Sequence, residues 1–296
     1  MNILVIGADG QLGRSIRDAS RTSENRFIFT DVTSGDDVIY LDASDPSGVK
    51  DLVAANGVDV IINCAGYTDV NKAETDEDVA RKLNADLPAV LASAAKEAGA
   101  VLIHISTDYV FDGRSSVPYV ETDTPAPLGA YARTKLEGEK AVLDSGCRHI
   151  IIRTAWMYSS YGNNFFKTME ALTSSDSSVN VVMDQVGTPT YAPDLADAIV
   201  YIIDNDMLDR QGIYNYSNEG VCSWYDFAKA ICRGFGYMCD VNPCRSADYP
   251  SPVQRPSYSV LDKSLFKKTF SYEIPHWEDS LQLAIIGYSE HYQANR

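Results

Sequence analysis

Five short, mainly apolar runs punctuate the first half of the chain, and helical patterns fill the gaps between them. The runs are Ile3–Ile6, Phe27–Phe29, Val58–Ile62, Val101–Ile105 and His149–Ile152. Apolar residues in unbroken succession suit a strand covered on both faces, as the strands of parallel sheets are. Each run ends in small or polar residues: Gly7, Thr30-Asp31, Asn63–Gly66, Ser106–Asp108 and Arg153–Trp156. The intervening helices are read at Gln11–Ala19, at Pro46–Ala55, over 76–98 with Pro88 marking a start or kink, and from about Tyr131 to before Asp144. Ser44-Asp45 before Pro46 supplies a cap and a proline where a first helical turn tolerates one. Such alternation predicts a doubly wound parallel α/β sheet.

Beyond residue 157 the character changes. A loop at 159–164, a helix at Phe165–Leu172, a strand at Val179–Met183, helices at Ala192–Asp204 and Trp224–Phe235 and a strand at Gly212–Asn215 predict a smaller C-terminal α/β lobe. The tail, with Pro243, Pro250, Pro252 and Pro256, reads as loop-rich. We therefore expect residues 1–157, joined by part of 185–215, to bind a dinucleotide, and 158–296 to be mainly substrate-binding.

The formal net charge of -16 argues against a nucleic-acid partner or an anionic membrane surface, because phosphate binding needs basic surface. Phosphates must then be held by backbone amides, helix N-termini and a few placed cations. No Cys-x-x-Cys occurs, and His104, His149, His276 and His291 are scattered. No metal site is expected, and the thiols read as reduced. No apolar run reaches membrane-spanning length and no leader precedes the first strand, which predicts a soluble, cytoplasmic protein.

Glycines at Gly7, Gly10 and Gly13 lie between the first strand and first helix, with Gln11 and Leu12 among them. They permit a tight turn, close approach of a pyrophosphate and close helix–strand packing, as in Rossmann sheets. The spacing is Gly-x-x-Gly-x-x-Gly rather than Gly-x-Gly-x-x-Gly. Asp31 follows the second strand, placed to accept from a ribose 2′-hydroxyl; its charge would repel a 2′-phosphate, so NADH is favoured over NADPH. Asp42 follows Leu41 and is read as reaching the adenine edge. Small residues after the third strand, Ala65 and Gly66, would let a cofactor cross the sheet edge. Thr107 ends the fourth run, where ligands gather in such sheets, and its hydroxyl suits a substrate carbonyl oxygen. Tyr131 and Lys135 are four apart and share a helix face. A cation there favours phenolate and is expected to lower the tyrosine pKa, giving a usable proton donor.

Together Thr107, Tyr131 and Lys135 resemble the catalytic set of the extended short-chain dehydrogenase/reductases. More narrowly, six ordered motifs resemble the dTDP-4-dehydrorhamnose reductase family: Gly10–Gly13, Asn63–Glu74, Ser106–Gly113, Tyr131–Glu139, Arg153–Trp156 and Asp184–Thr190. The resemblance implies an NADH- or NADPH-dependent reduction of a nucleotide-sugar C4 ketone, in nucleotide-sugar and cell-surface polysaccharide biosynthesis. It implies dinucleotide contacts from Gly10 to Leu12, Asp31, Asp42-Ala43 and Ala65 to Tyr67. Thr107 would polarise the carbonyl with Asp108 beside it, Tyr131 would donate the proton, and Lys135 would bind the nicotinamide ribose. Trp156 would pack on the sugar, and Arg255 would hold the diphosphate.

Two departures from that pattern stand out. Some relatives dimerise through magnesium held by a glutamate early in the first helix; Ser15 stands here, with Arg14 and Arg17 nearby, so no such metal is expected. Gly66 stands where alanine is usual. Monomer and homodimer both remain open. A sugar-nucleotide dehydratase would carry Asp-Glu after the threonine, where Asp108-Tyr109 stand. An epimerase fits the Trp156 context less well. A regulatory relative such as the β subunit of methionine adenosyltransferase would not need Thr107, Tyr131 and Lys135 intact.

Overall fold

Seven strands form one wholly parallel sheet in this computed structural model, which describes residues 1–35, 37–249 and 251–294. Pro250 and the side chain of His291 therefore lie outside the described residues. The strands are β1 (Asn2–Ile6), β2 (Arg26–Asp31), β3 (Ile39–Tyr40), β4 (Val60–Asn63), β5 (Val101–Thr107), β6 (Arg148–Thr154) and the strand Gly212–Asn215. From the β3 edge inward, their order is β3, β2, β1, β4, β5, β6 and Gly212–Asn215. Chain order reverses beside β1, so the carboxyl ends of β1 and β4 open a crevice at the switch point, where such sheets bind ligands.

The apolar runs are buried on both faces because successive residues point opposite ways. Ile3 and Val5 of β1 pack in one cluster with Ile62, Ile103, Ile150 and the inner face of α7 (Ala192–Asp204). Leu4 and Ile6 pack on the other side with Val49, Leu91, Val142 and Ile151. That second layer is built by α2 (Pro46–Asn56), α4 (Leu87–Ala98) and α5 (Ala130–Ser145). The Asp45 side chain accepts from the Ser47 and Gly48 amides at the start of α2, as the Asp-Pro signal implies. The stretch over 76–98 is two helices, α3 (Glu77–Arg81) and α4, joined by a π-helical turn at Lys82–Asp86. Pro88 sits in the first turn of α4.

A third apolar cluster gathers α6 (Phe165–Ser175), α8 (Trp224–Phe235) and α10 (Trp277–Ala294) around Tyr158, Phe166, Phe227 and Trp277. The tail is less loop-rich than the sequence predicts, because it contains α9 (Ser264–Phe270) and the 18 residues of α10. Trp277, Leu281 and Ala284 form the buried stripe of α10, but Leu283 and Ile286 are exposed on its outer side. Apolar residues on both faces blur the helical period. Among the described residues no helix is long and apolar enough to cross a membrane.

Candidate active site

The glycine loop lies at the mouth of the crevice. Gly7 has φ +80°, and a Cβ there would sit 2.7 Å from the Ala65 amide nitrogen. A Cβ on Gly13 would sit 2.3 Å from the Gly7 carbonyl oxygen. Both positions require glycine, whereas Gly10 has ordinary extended backbone and serves as the N-cap of α1 (Gln11–Ala19). No side chain caps α1. Its first amides are thus available to an anion, with the helix dipole behind them. The cradle fits a dinucleotide pyrophosphate. Leu12 is buried in the core, leaving only its backbone for a ligand. Gln11 turns away, its Oε1 accepting from Ser159 Oγ (3.0 Å) and Asn164 Nδ2 (2.8 Å).

Asp31 turns its carboxylate back onto this loop. Oδ2 accepts from the Asp9 amide at 2.9 Å and Oδ1 from the Val32 amide at 2.7 Å. Each oxygen keeps a lone pair for a further donor. Asp42 is exposed, held by Ser44 through its amide (3.0 Å) and hydroxyl (2.6 Å), which lower its pKa. Ala43 is buried against the second core layer.

The helix α5 presents Tyr131, Lys135 and Glu139 at successive turns of one face, and it carries few large apolar residues inward. A Cβ on Gly138 would lie 2.0 Å from the Asn84 carbonyl oxygen, so α5 packs directly against the π-helical turn. Gly129, its N-cap, provides no side chain; instead Glu74 Oε1 accepts from the Ala130 amide at 2.6 Å. Buried Asn84 ties the pieces together. Its Oδ1 accepts from the Tyr67 amide (2.8 Å), and its Nδ2 donates to the Tyr67 carbonyl (3.1 Å) and to Thr134 Oγ1 (3.1 Å). A Cβ on Gly66 would stand 3.1 Å from Asn84 Oδ1 and 3.8 Å from Lys135 Nζ. The Ala65–Tyr67 loop is therefore seated beside the lysine.

Thr107 ends β5; its hydroxyl donates to Asp108 Oδ1 at 3.2 Å, accepts from the Tyr109 amide at 3.2 Å, and lies near enough to the Tyr131 phenol to act on its proton. The Tyr109 ring packs edge-on to Tyr131, centroids 5.9 Å apart. Lys135 Nζ donates to the Ile105 carbonyl at 2.6 Å. Burial pushes the Tyr131 phenol up to about 12, against the opposing pull of the nearby Thr107 side chain. Burial also lowers the Lys135 ammonium to about 8. The sequence predicts a lowered phenol pKa; the structure displaces it the other way, because desolvation dominates and the lysine is turned to a carbonyl.

Beneath these groups lies a polar layer that sequence reasoning gave no role. Arg153 donates to Glu139 through Nε (2.9 Å) and Nη2 (2.7 Å), and Ser106 Oγ donates to Glu139 Oε1. All three residues are buried. They sit inside quoted motifs, but spacing alone does not say that a glutamate two turns beyond Tyr131 faces the core. Asn84 carried a weak signal, a lone amide in an Ala-rich stretch four residues before Pro88.

At the far side, Trp156 has φ +46°, uncommon for a non-glycine residue. Its ring stacks on Trp224 with centroids 3.6 Å apart, so one face is already covered. Arg255 Nη2 donates to Asn71 Oδ1 at 3.4 Å, and its charge lies near enough to the Tyr109 phenol to oppose the upward push of burial there. Thr107, Asp108, Tyr131, Lys135, Gly66 and Arg255 thus cluster around the ends of β4 and β5. Asp42 and Trp156 stand apart, one on the surface and one against Trp224. Among the described residues no group of three or more His, Cys, Asp or Glu could hold a metal ion.

Residues 1–289 match the RmlD substrate binding domain family. The chain is 39% identical to a dTDP-4-dehydrorhamnose reductase of Escherichia coli K12 over 287 residues, covering 94% of this chain and 95% of that protein. A crystal structure of a dTDP-4-dehydrorhamnose reductase from Clostridium acetobutylicum superposes with a TM-score of 0.91 at 40% identity, covering 98% of this chain and 100% of that one. Another, from Bacillus anthracis in complex with NADP, gives 0.88 at 34% identity, covering 97% and 99%. With a full-length family match, close relatives over nearly the whole chain and the Rossmann crevice in place, this chain belongs to the dTDP-4-dehydrorhamnose reductase family.

Proposed function

We propose that this chain reduces dTDP-4-dehydro-L-rhamnose to dTDP-L-rhamnose, with NADH or NADPH supplying the hydride to the sugar C4 ketone and Tyr131 supplying the proton. The observation that carries this reading is the Thr107 hydroxyl at the end of β5, close enough to the Tyr131 phenol to act on its proton, with Lys135 one helical turn beyond Tyr131 on α5. Thr107 and Tyr131 would both hydrogen-bond the C4 oxygen, stabilising charge where it develops. A phenol held up at about 12 keeps its proton at neutral pH and gives it only to a strong base such as the developing alkoxide. Lys135 would orient the nicotinamide ribose, and its charge would favour the phenolate left after transfer. Gly7, Gly10, Gln11, Leu12, Gly13, Ala65, Gly66 and Tyr67 would frame the dinucleotide, chiefly through backbone groups. Residues 158–296 would contribute most of the sugar-nucleotide site, with Trp156 and Arg255 at its border.

The test is oxidation of NADH and of NADPH by the purified protein with dTDP-4-dehydro-L-rhamnose, against other nucleotide-linked 4-ketosugars. Turnover with the rhamnose precursor is expected; activity with none of the ketosugars would favour a dinucleotide-binding regulatory role.

Asp31 is proposed to favour NADH, because its carboxylate faces the loop where a 2′-phosphate would lie. Asp31→Ala is expected to narrow the ratio of kcat/KM for NADH over NADPH. An unchanged ratio would remove the ribose role and leave Asp31 as a brace for the Asp9 amide.

A further inference from the structure

We propose that Gln11 is a positioning residue for the sugar nucleotide: its side chain latches the start of α6 to the helix behind the glycine loop and, through Phe165 and Trp224, fixes where the Trp156 ring stands. The proposal rests on Trp156 bordering the sugar site, as set out above.

The latch joins two distant parts of the chain. Gln11 opens α1, and Ser159 and Asn164 belong to the segment that leads into α6. Asn164 is the N-cap of α6, and its Oδ1 accepts from the Lys167 amide at 3.1 Å. That bond fixes the orientation of the carboxamide, because the atom facing an amide N–H must be the oxygen. Asn164 Nδ2 is thereby turned to Gln11 Oε1 at 2.8 Å. Ser159, which is fully buried, donates to the same oxygen at 3.0 Å. Two donors occupy both lone pairs of that oxygen.

The contact continues along α1. The Tyr161 hydroxyl donates to Asp18 Oδ2 at 2.8 Å, and the Arg14 guanidinium lies 5.6 Å from the Tyr161 ring centre. Gln11, Arg14 and Asp18 follow the i, i+3, i+7 spacing of one helix face. Gly162 has φ +60°, and a Cβ there would meet Gln11 Cγ at 3.3 Å, so the loop passes close over the first turn. The Tyr161–Asp18 bond is exposed, whereas both bonds to Gln11 are partly buried and less open to competition from water.

From Asn164 the path to the sugar site runs through packed rings. Phe165, the next residue, packs on Trp224 with centroids 4.5 Å apart. Trp224 stacks on Trp156 at 3.6 Å, the planes 11° from parallel. On Gly187, a Cβ would fall 2.7 Å from the Trp156 ring, so only glycine leaves room for the indole there. Trp156 also holds φ +46°, a conformation that persists only where the surroundings enforce it. Close-packed rings transmit displacement rather than absorb it. The place of Trp156 therefore follows Trp224, and the place of Trp224 follows the first residue of α6.

Two variants cut the latch by different routes. Gln11→Met removes the acceptor but leaves the backbone of α1 and the internal bonds of the loop in place. Asn164→Ser keeps an N-cap oxygen and withdraws the amide donor. Both are expected to raise KM for the 4-ketosugar nucleotide on the order of ten-fold, the scale of one or two neutral hydrogen bonds. The inhibition constant of dTDP, which carries no sugar to meet Trp156, is expected to stay at the wild-type value. The circular-dichroism exciton band of the stacked indoles is expected to shift in both variants. Trp156→Ala is the reference, with the same split between KM and the dTDP constant. A wild-type KM or an unshifted indole band in either latch variant overturns the proposal. So does dTDP binding that weakens in step with the sugar nucleotide, which would mark a general loosening of the fold. If Trp156→Ala raises KM and the latch variants do not, the positioning role of Gln11 fails alone. If Trp156→Ala leaves KM unchanged, the place of Trp156 at the sugar fails and the proposal falls with it.

Discussion

Tyr131→Phe is expected to lower kcat by roughly 10²–10⁴-fold, the range over which a positioned acid–base group contributes, while NADH or NADPH binding stays close to wild type. The substitution removes one oxygen and leaves the ring to pack against Tyr109, whose centroid lies 5.9 Å away. Thr107 would still polarise the ketone, and Lys135 would still be held by Ile105 at 2.6 Å. What is lost is the phenol beside Thr107. Steady-state turnover with the 4-ketosugar and quenching of nicotinamide fluorescence on binding separate the two effects. A variant with unchanged turnover would take Tyr131 out of the chemistry. A variant that fails to bind dinucleotide would recast the phenol as a cofactor anchor. The direction of the Tyr131 shift bears on the size of the effect. A phenol poised as phenolate would be a poor donor, whereas one raised to about 12 by burial is fully protonated at neutral pH.

Much of this arrangement was legible before any coordinates, for physical reasons that also explain the gaps. The runs Ile3–Ile6 and Val101–Ile105 read as strands because both faces of the sheet are covered, so no polar residue interrupts them. Gly7 and Gly13 read as a cradle because close backbone approach leaves no alternative to glycine there, and a Cβ at Gly13 would fall 2.3 Å from a carbonyl. The helix α5 read only as a Tyr–Lys face. Its buried side is Ala130, Ala132, Thr134, Lys135, Gly138, Glu139 and Val142, too polar to register as amphipathic. Asn84 escaped because its value lies in partners 17 and 50 residues away, Tyr67 and Thr134. The sign of the Tyr131 shift escaped for the same reason. Spacing puts a cation on the same face, but only the fold sets the desolvation and turns the ammonium to Ile105.

The pair beneath the site carries the largest expected effect on stability. Glu139→Leu is expected to destabilise the protein by about 3–5 kcal/mol, because removing one member of a buried ion pair strands the other in a medium that cannot solvate it. Arg153 is 2% exposed and Glu139 1% exposed, and the pair is bidentate. The loss would spread, since Ser106 donates to the same carboxylate and Arg153 also donates to the Glu121 carbonyl at 3.2 Å. Urea unfolding of the single variant and of Glu139→Leu with Arg153→Leu gives the contrast. The double variant should recover much of the stability, because an apolar pair avoids the desolvation cost of both charges. A single variant within about 1 kcal/mol of wild type, the level typical of exposed pairs, would mean that water reaches Arg153 after all. Recovered stability without recovered turnover in the double variant would separate two roles. Burial there needs only volume, but fixing Ser106, and with it the neighbouring Thr107, to the helix that carries Tyr131 needs a carboxylate at position 139.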